Sequence, residues 1–294
     1  MRRQSRFALS AAVLSGLLSV FAFRPLGAVE GVAVQPKNVG FFLSDRKYMV
    51  AGAPSEKVRL PIPFYVIRHP QGVVLFDSGL GTEFPAQLNG WWLHRLFQWT
   101  LPYEFDPANA AVAQVKAMGV DPKDVKFIVV SHLHYDHAGG LRDFPAAKAV
   151  VSRREWENAD VGRWKARFRG VMSETLAGVK ERLLLVDDDR YDLFGDGALV
   201  LWSTPGHTPG HQSLLVTTES GRRVLLTGDA VWVEENYRKP APKSWIIAHL
   251  EESDADQAWA STLAIHRFAE ENPEALIIPG HDPALWKELP AEIR

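Results

Sequence analysis

Four short apolar runs in this chain each lead, within a few residues, to a side chain that can bind a metal. No other feature constrains the fold as tightly. The run 127–130 leads into Ser131-His132-Leu133-His134-Tyr135-Asp136-His137, and 198–202 leads to Gly206-His207. The run 224–226 leads to Gly228-Asp229, and 276–278 leads to Gly280-His281. Each run has the length and β-branched character of a buried strand. Strands that deliver polar residues at their carboxyl ends imply a rigid sheet holding a site along one edge.

The 294 residues include no cysteine, which excludes a disulfide scaffold, thiolate metal sites and a cysteine nucleophile. Any metal must then be held by His, Asp or Glu, and the chain has ten histidines. With 33 basic against 35 acidic residues and no long basic run, the chain lacks the positive field of a nucleic-acid binder. A 46% hydrophobic fraction excludes a disordered tail and provides for a core of ordinary size.

Arg2, Arg3 and Arg6 precede a charge-free stretch, 7–23, and Leu26-Gly27-Ala28 offers small residues for cleavage. This pattern predicts a signal peptide over 1–28 and a periplasmic or secreted protein, or a membrane anchor if the segment stays uncleaved. Removal of the segment takes away Arg2, Arg3, Arg6 and Arg24 and makes the remainder more acidic. Residues 29–294 show no linker, low-complexity tract or repeat period, so one domain is expected. Further strands are predicted over 64–68, 73–76 and 213–216, helices over 108–118 and 254–271 with Ser253 as N-cap, and hairpin turns at Gly72 and Gly221. Strands joined partly by hairpins and partly by helices suggest an α/β chain with a mixed sheet or two stacked sheets under helices. The aromatic segment 91–105 fits either a buried helix or an apolar wall for a ligand.

In an extended chain His132 and His134 point to one face, with Asp136 next along it. His137 needs a bend, which Ala138-Gly139-Gly140 allow. Together with His207, Asp229 and His281 these donors exceed what one tetrahedral ion takes, so two ions fit better. Asp229 falls between them, because a carboxylate has two oxygens and can bridge. His207 and His211 compete for one position. His69, His94, His249 and His266 are isolated and read as structural or surface residues.

The set His-x-His-x-Asp-His at 132–137, Gly-His at 206–207, Gly-Asp at 228–229 and Gly-His at 280–281 resembles the metallo-β-lactamase superfamily. The resemblance implies a four-layer αβ/βα sandwich with a dinuclear site between the sheets. It implies His132, His134 and His207 on one metal, Asp136, His137 and His281 on the other, and Asp229 as the bridge, with His211 outside the ligand set. Asp77, in Leu75-Phe76-Asp77-Ser78-Gly79, resembles an aspartate that supports a ligand from behind. Within the superfamily, Thr-Pro-Gly-His-Thr-Pro-Gly-His at 204–211, Asp229-Ala230 with Glu235-Asn236-Tyr237, and Pro279-Gly280-His281-Asp282 are similar to the N-acyl-homoserine lactonases. Those enzymes usually carry a tyrosine three residues after the bridging aspartate, where this chain has Trp232. An indole donates a hydrogen bond but has no useful acidity.

The expected activity is hydrolysis of a lactone ring, with N-acyl-homoserine lactones as substrates. Two divalent ions, zinc first and iron, manganese or cobalt as substitutes, would acidify the attacking water, while Asp136 orients it or takes its proton. A glyoxalase-II-like thioesterase or a broad esterase is the alternative, since a thioester leaving group needs no strong acid. A mononuclear-iron persulfide dioxygenase shares the first histidine motif, but Asp136, Asp229 and His281 together favour two metals, and a non-catalytic relative normally has eroded ligands. The partner expected is a small ester or lactone, with no nucleic acid and no stable membrane span after cleavage; a homodimer is left open.

Overall fold

In the computed structural model, which describes residues 28–89, 99, 101–159 and 163–294, the apolar runs assemble into two sheets. The first sheet contains β1 (Ala33–Asp45), β2 (Lys57–His69), β3 (Gly72–Phe76), β4 (Tyr103–Phe105), β5 (Val125–Val129), β6 (Lys148–Ser152) and β7 (Leu183–Val186). Their order is β4-β1-β2-β3-β5-β6-β7. The second contains β8 (Arg190–Asp192), β9 (Leu199–Ser203), β10 (Gln212–Thr217), β11 (Arg223–Leu226) and β12 (Leu276–Ile278), in the order β12-β11-β10-β9-β8. Residues 1–27 of the predicted signal segment and residues 91–98 and 100 of the aromatic stretch lie outside the described residues.

Strand alternation builds the layers, because successive side chains leave opposite faces of a sheet. β3 sends Val74 and Phe76 inward, where they meet Val129 and Val150 of the same sheet and Leu199, Leu201, Leu214, Val216, Val224 and Leu226 of the other. The opposite face of the first sheet places Leu75 and Ile128 against Phe84, Leu88 and Val115 of helices Phe84–Asn89 and Ala111–Ala117. Leu215 and Leu225 leave the outer face of the second sheet and pack with Ile265 of the long helix Ala255–Glu271. Sheets covered on both faces need continuous apolar strands, which is why these runs read so clearly. The result is the αβ/βα sandwich.

Strand direction gathers the site. β3 and β5 are parallel. β9 and β11 are each antiparallel to β10 and so run the same way, and β12 is parallel to β11. The carboxyl ends of all ligand-bearing strands therefore share a direction within their own sheet. The turns at Gly72 and Gly221 close the β2-β3 and β10-β11 hairpins, both with positive φ.

Two helix expectations need correction. The segment 108–118 divides into a 3-10 turn, Pro107–Asn109, and the helix Ala111–Ala117, because Ala110 is extended at φ −56°, ψ 156°. The long helix is capped by Asp254 and not by Ser253: the Asp254 carboxylate accepts from the amides of Asp256 and Gln257, while the Ser253 hydroxyl donates to the Gly206 carbonyl at 2.8 Å. A carboxylate that takes two amide hydrogens outcompetes a hydroxyl committed elsewhere.

Phe76 is 1% exposed at the centre of the layer between the sheets. Phe76→Ala is expected to destabilise the fold by about 3–5 kcal/mol through lost transfer energy and a residual cavity. Urea unfolding followed by circular dichroism measures this, and a change below about 1 kcal/mol would contradict this account of the core.

Candidate metal centre

The loop after β5 delivers four of the seven candidates, along a path that differs from the extended one expected. His134 is the last extended residue, at φ −64° and ψ 150°, and Tyr135–Ala138 then form a helical turn. The bend starts at Tyr135, four residues before Gly139. It is fixed by the Tyr135 amide donating to the Gly170 carbonyl and by the His137 and Ala138 amides donating to the His134 carbonyl. A helix rotates neighbouring side chains by about 100°, so Asp136 and His137 swing away from the face of His132 and His134.

That turn sorts the donors into groups. The ligand atoms of His132, His134 and His207 lie within 4.8 Å of one another, as do those of Asp136, His137 and His281. Asp229 stands between the groups: its Oδ1 is 3.2 Å from His137 Nε2 and 3.2 Å from His281 Nε2, and its Oδ2 is 3.4 Å from His207 Nε2. All seven sequence-predicted residues thus converge, and all are buried except half-buried His134. Backbone clearance makes this approach achievable. A Cβ at Gly280 would sit 2.5 Å from Asp229 Oδ1, so only glycine fits beside that carboxylate.

The chemistry of the donor set fits divalent cations. His132 Nε2, His137 Nε2 and Asp229 Oδ1 are buried atoms without a hydrogen-bond partner, an arrangement that proteins otherwise avoid. The opposite edges of the rings are fixed. His137 Nδ1 is 2.8 Å from Asp77 Oδ2, and His281 Nδ1 is 2.8 Å from the Pro61 carbonyl, so Nδ1–H donates there and Nε2 is turned toward the site. Asp77 follows β3 in the left-handed region at φ 59° and also accepts from the Ser131 amide and hydroxyl at 2.7 and 2.9 Å. His211 behaves differently. Its Nε2 accepts from the Asp229 amide at 2.9 Å and its Nδ1 meets the Thr204 hydroxyl at 2.9 Å, so both nitrogens are occupied away from the cluster.

Electrostatics keep His132 and His134 in the neutral form. Burial, reinforced by the surrounding imidazoles, holds His132 well below the ordinary histidine range and brings His134 down to about 3. Neutral imidazole is the form that binds metal. Burial pushes the Asp229 carboxyl up, but the His281 and His137 imidazoles together pull it well below the usual carboxylate range. His137 is the counterpart: burial lowers it, and Asp136, Asp229 and Asp77 raise it well above.

Three supporting residues carry no signal in the sequence. Glu155, 1% exposed, accepts from the Leu133 amide at 2.9 Å and from the Gly210 amide at 3.1 Å, tying the first ligand loop to the one that bears His207. Buried Lys243 donates to the Asp229 backbone carbonyl at 2.7 Å and to Glu252 at 2.6 Å, and Glu252 Oε2 lies 3.6 Å from His207 Nδ1. Each sits in an ordinary polar stretch of sequence and becomes informative only through its neighbours. His69, stacked on Phe194 beside Asp196, and His249 and His266, bonded to backbone carbonyls, lie apart from the cluster, and His94 is outside the described residues. Tyr237 also stays away, packed among apolar residues with its hydroxyl toward Glu234.

A two-sheet sandwich with this His and Asp cluster at the strand ends defines a class of metal-dependent hydrolases. The chain belongs to the metallo-beta-lactamase superfamily, whose family model matches residues 59–281. It is 36% identical over 230 residues to the N-acyl homoserine lactonase AttM of Azorhizobium caulinodans, covering 77% of this chain and 84% of that protein. It is 31% identical over 189 residues to the N-acyl homoserine lactonase AiiA of Bacillus thuringiensis subsp. kurstaki, covering 64% of this chain and 71% of the relative. Among solved structures, a quorum-quenching N-acyl homoserine lactone hydrolase superposes with a TM-score of 0.71 at 25% identity, covering 88% of this chain and 96% of that one.

Asp77 orients His137 without belonging to either donor group. Asp77→Ala is expected to weaken zinc binding by about 10–100-fold, the usual effect of removing such a partner. Competition with a chromophoric chelator reads this directly, and unchanged affinity would remove Asp77 from the site.

Proposed function

We propose that this protein opens the ring of N-acyl-homoserine lactones, using two divalent ions with zinc the foremost. The observation that carries the reading is Asp229 set between two imidazole groups, in a chain whose relatives at 36% and 31% identity are named as lactonases. His132, His134 and His207 would hold one ion and Asp136, His137 and His281 the other, with Asp229 shared, and the ions would supply Lewis acidity toward a carbonyl and acidify water near neutral pH.

The chain's own groups then have defined tasks. Burial raises the Asp136 carboxyl, but the His137 and His281 imidazoles outweigh it and keep the group ionised at neutral pH. Its Oδ2 faces those two rings at 3.4 and 3.6 Å, which leaves Oδ1 to take a proton from the attacking water. Water adds to the carbonyl carbon, the ring C–O bond breaks, and the proton held on Asp136 is the one that the departing oxygen requires. The aromatic stretch 91–105 remains our candidate for the acyl-chain wall. Within its described part Trp99 is 79% exposed, while Tyr103 and Phe105 pack on Phe84.

One observation favours thioester hydrolysis as a second reading. The indole N–H of Trp232 already donates to Asp229 Oδ2 at 2.8 Å, and an indole has no proton to give a leaving group. A thiolate leaves without that help. For residues 1–28 we propose export: the mature chain would be a single domain over 29–294 in the periplasm or outside the cell. No helix among the described residues is long and apolar enough to cross a membrane.

The zinc-loaded protein is expected to hydrolyse N-hexanoyl-homoserine lactone faster than γ-butyrolactone, an acyl thioester or a β-lactam. Asp229→Ala should lose more than about a hundredfold, beyond the range for an outer partner. Full activity in that variant would sink the metal mechanism, and thioester turnover with lactones untouched would select the second reading. Expressed with its first residues in a bacterium, the chain is expected in the periplasmic fraction with a new amino terminus after Ala28; an intact Met1 in the cytosol would refute export.

A further inference from the structure

Trp232 follows Asp229 by three residues, and its surroundings tie it to that carboxylate. Its indole N–H, its backbone carbonyl and its ring are all engaged with the cluster. Its Nε1 donates to Asp229 Oδ2 at 2.8 Å. Its backbone carbonyl accepts from the His281 amide at 3.0 Å, and its own amide donates to Asn236 Oδ1 at 3.0 Å. The ring lies edge-to-face with both donor groups, 6.5 Å from His207 at 71° and 5.9 Å from His281 at 84°. Lys243 Nζ lies 4.7 Å from the indole centroid, and the same ammonium holds the Asp229 carbonyl and Glu252.

These contacts form one closed frame. Lys243 has three protons: two go to Asp229 O and Glu252 Oε1, and its charge rests on the Trp232 ring, an attraction that strengthens where water is excluded. Glu252 continues to His207. The carboxylate of Asp229 is therefore oriented from its side chain by the indole and from its main chain by the lysine. A carboxylate that has rotated about its Cβ–Cγ bond can still bind one ion but no longer faces two. The Oδ2 atom toward His207 is the one that the indole holds.

We propose that Trp232 is a positioning residue: its indole N–H, buttressed by Lys243 and Glu252, sets the rotation of the Asp229 carboxylate between the two imidazole groups, where it would be shared by both ions. This rests on Asp229 being the shared ligand of the proposed dinuclear site. It follows that the N–H is used on the protein side and does not serve the substrate carbonyl.

The test compares wild type with Trp232→Phe, which keeps an aromatic ring and loses the donor. Metal-free protein is titrated with cobalt(II) against a chromophoric chelator, and the cobalt absorption bands are recorded at each equivalent. Wild type is expected to take two equivalents. Trp232→Phe should bind one as before and the other about tenfold or more weakly, with altered visible bands and an unchanged melting temperature in the metal-free form. Equal affinities and superimposable bands would overturn the proposal while leaving the metal site intact; a wild type that takes no cobalt would overturn both.

A second measurement needs no variant. In wild-type protein labelled with ¹⁵N-tryptophan, one indole N–H is expected to exchange slowly with solvent and to shift when zinc is added. If no indole resonance responds to zinc, Trp232 does not hold Asp229.

Discussion

The carboxylate of Asp229 is taken out of water and placed between two sets of imidazoles, and most of the surrounding structure is arranged around that placement. A buried carboxylate is unfavourable unless matched by positive or hydrogen-bonded partners. Here the Trp232 indole donates to Oδ2, and the rings of His137, His281 and His207 stand within 3.4 Å of the two oxygens. Such a network stabilises only when each member is satisfied, so the unpartnered nitrogens of His132 and His137 are its most informative members. They mark the place where a cation completes the electrostatics of the site.

Rigidity comes from outside the donor set. Asp77, at the end of β3 in the first sheet, grips Ser131 and His137. Glu155 joins the backbone after β5 to the loop that carries His207, and the two loops come from different sheets. The sandwich core between Phe76, Val129, Leu214 and Leu226 thus fixes distances that no single loop could hold. A desolvated site of this kind also strengthens whatever charge stabilisation it offers a substrate, because competing water is excluded.

Legibility in the sequence followed burial and locality. Strands covered on both faces, such as β5, β10 and β11, appear as short apolar runs and were readable. β1 was not, because Gln35, Lys37, Asn38 and Ser44 interrupt its apolar residues. β4 and β8 are three-residue strands defined by their neighbours. The motif 132–137 disclosed which residues carry the chemistry but suggested the wrong local geometry: alternation predicts Asp136 on the His132 face, whereas hydrogen bonds from Tyr135 to Gly170 and from His137 to His134 impose a helical turn. Glu155, Lys243 and Glu252 had no pattern to betray them, since one acidic or basic residue in a polar stretch is indistinguishable from a solvated one until its neighbours are known.

From the order of its residues alone, the chain determined its donor atoms: nitrogen and oxygen only, carried at the ends of apolar strands, in the four-part pattern of the metallo-beta-lactamase superfamily. These are properties of residue type and short-range spacing. Tertiary structure decided which oxygen of Asp229 faces which imidazole, that His211 supports the site and does not join it, and that the Trp232 indole is spent on a carboxylate. Hydrogen bonds with ångström tolerance between segments from opposite sheets have no trace in local sequence, because their geometry exists only once both sheets have packed.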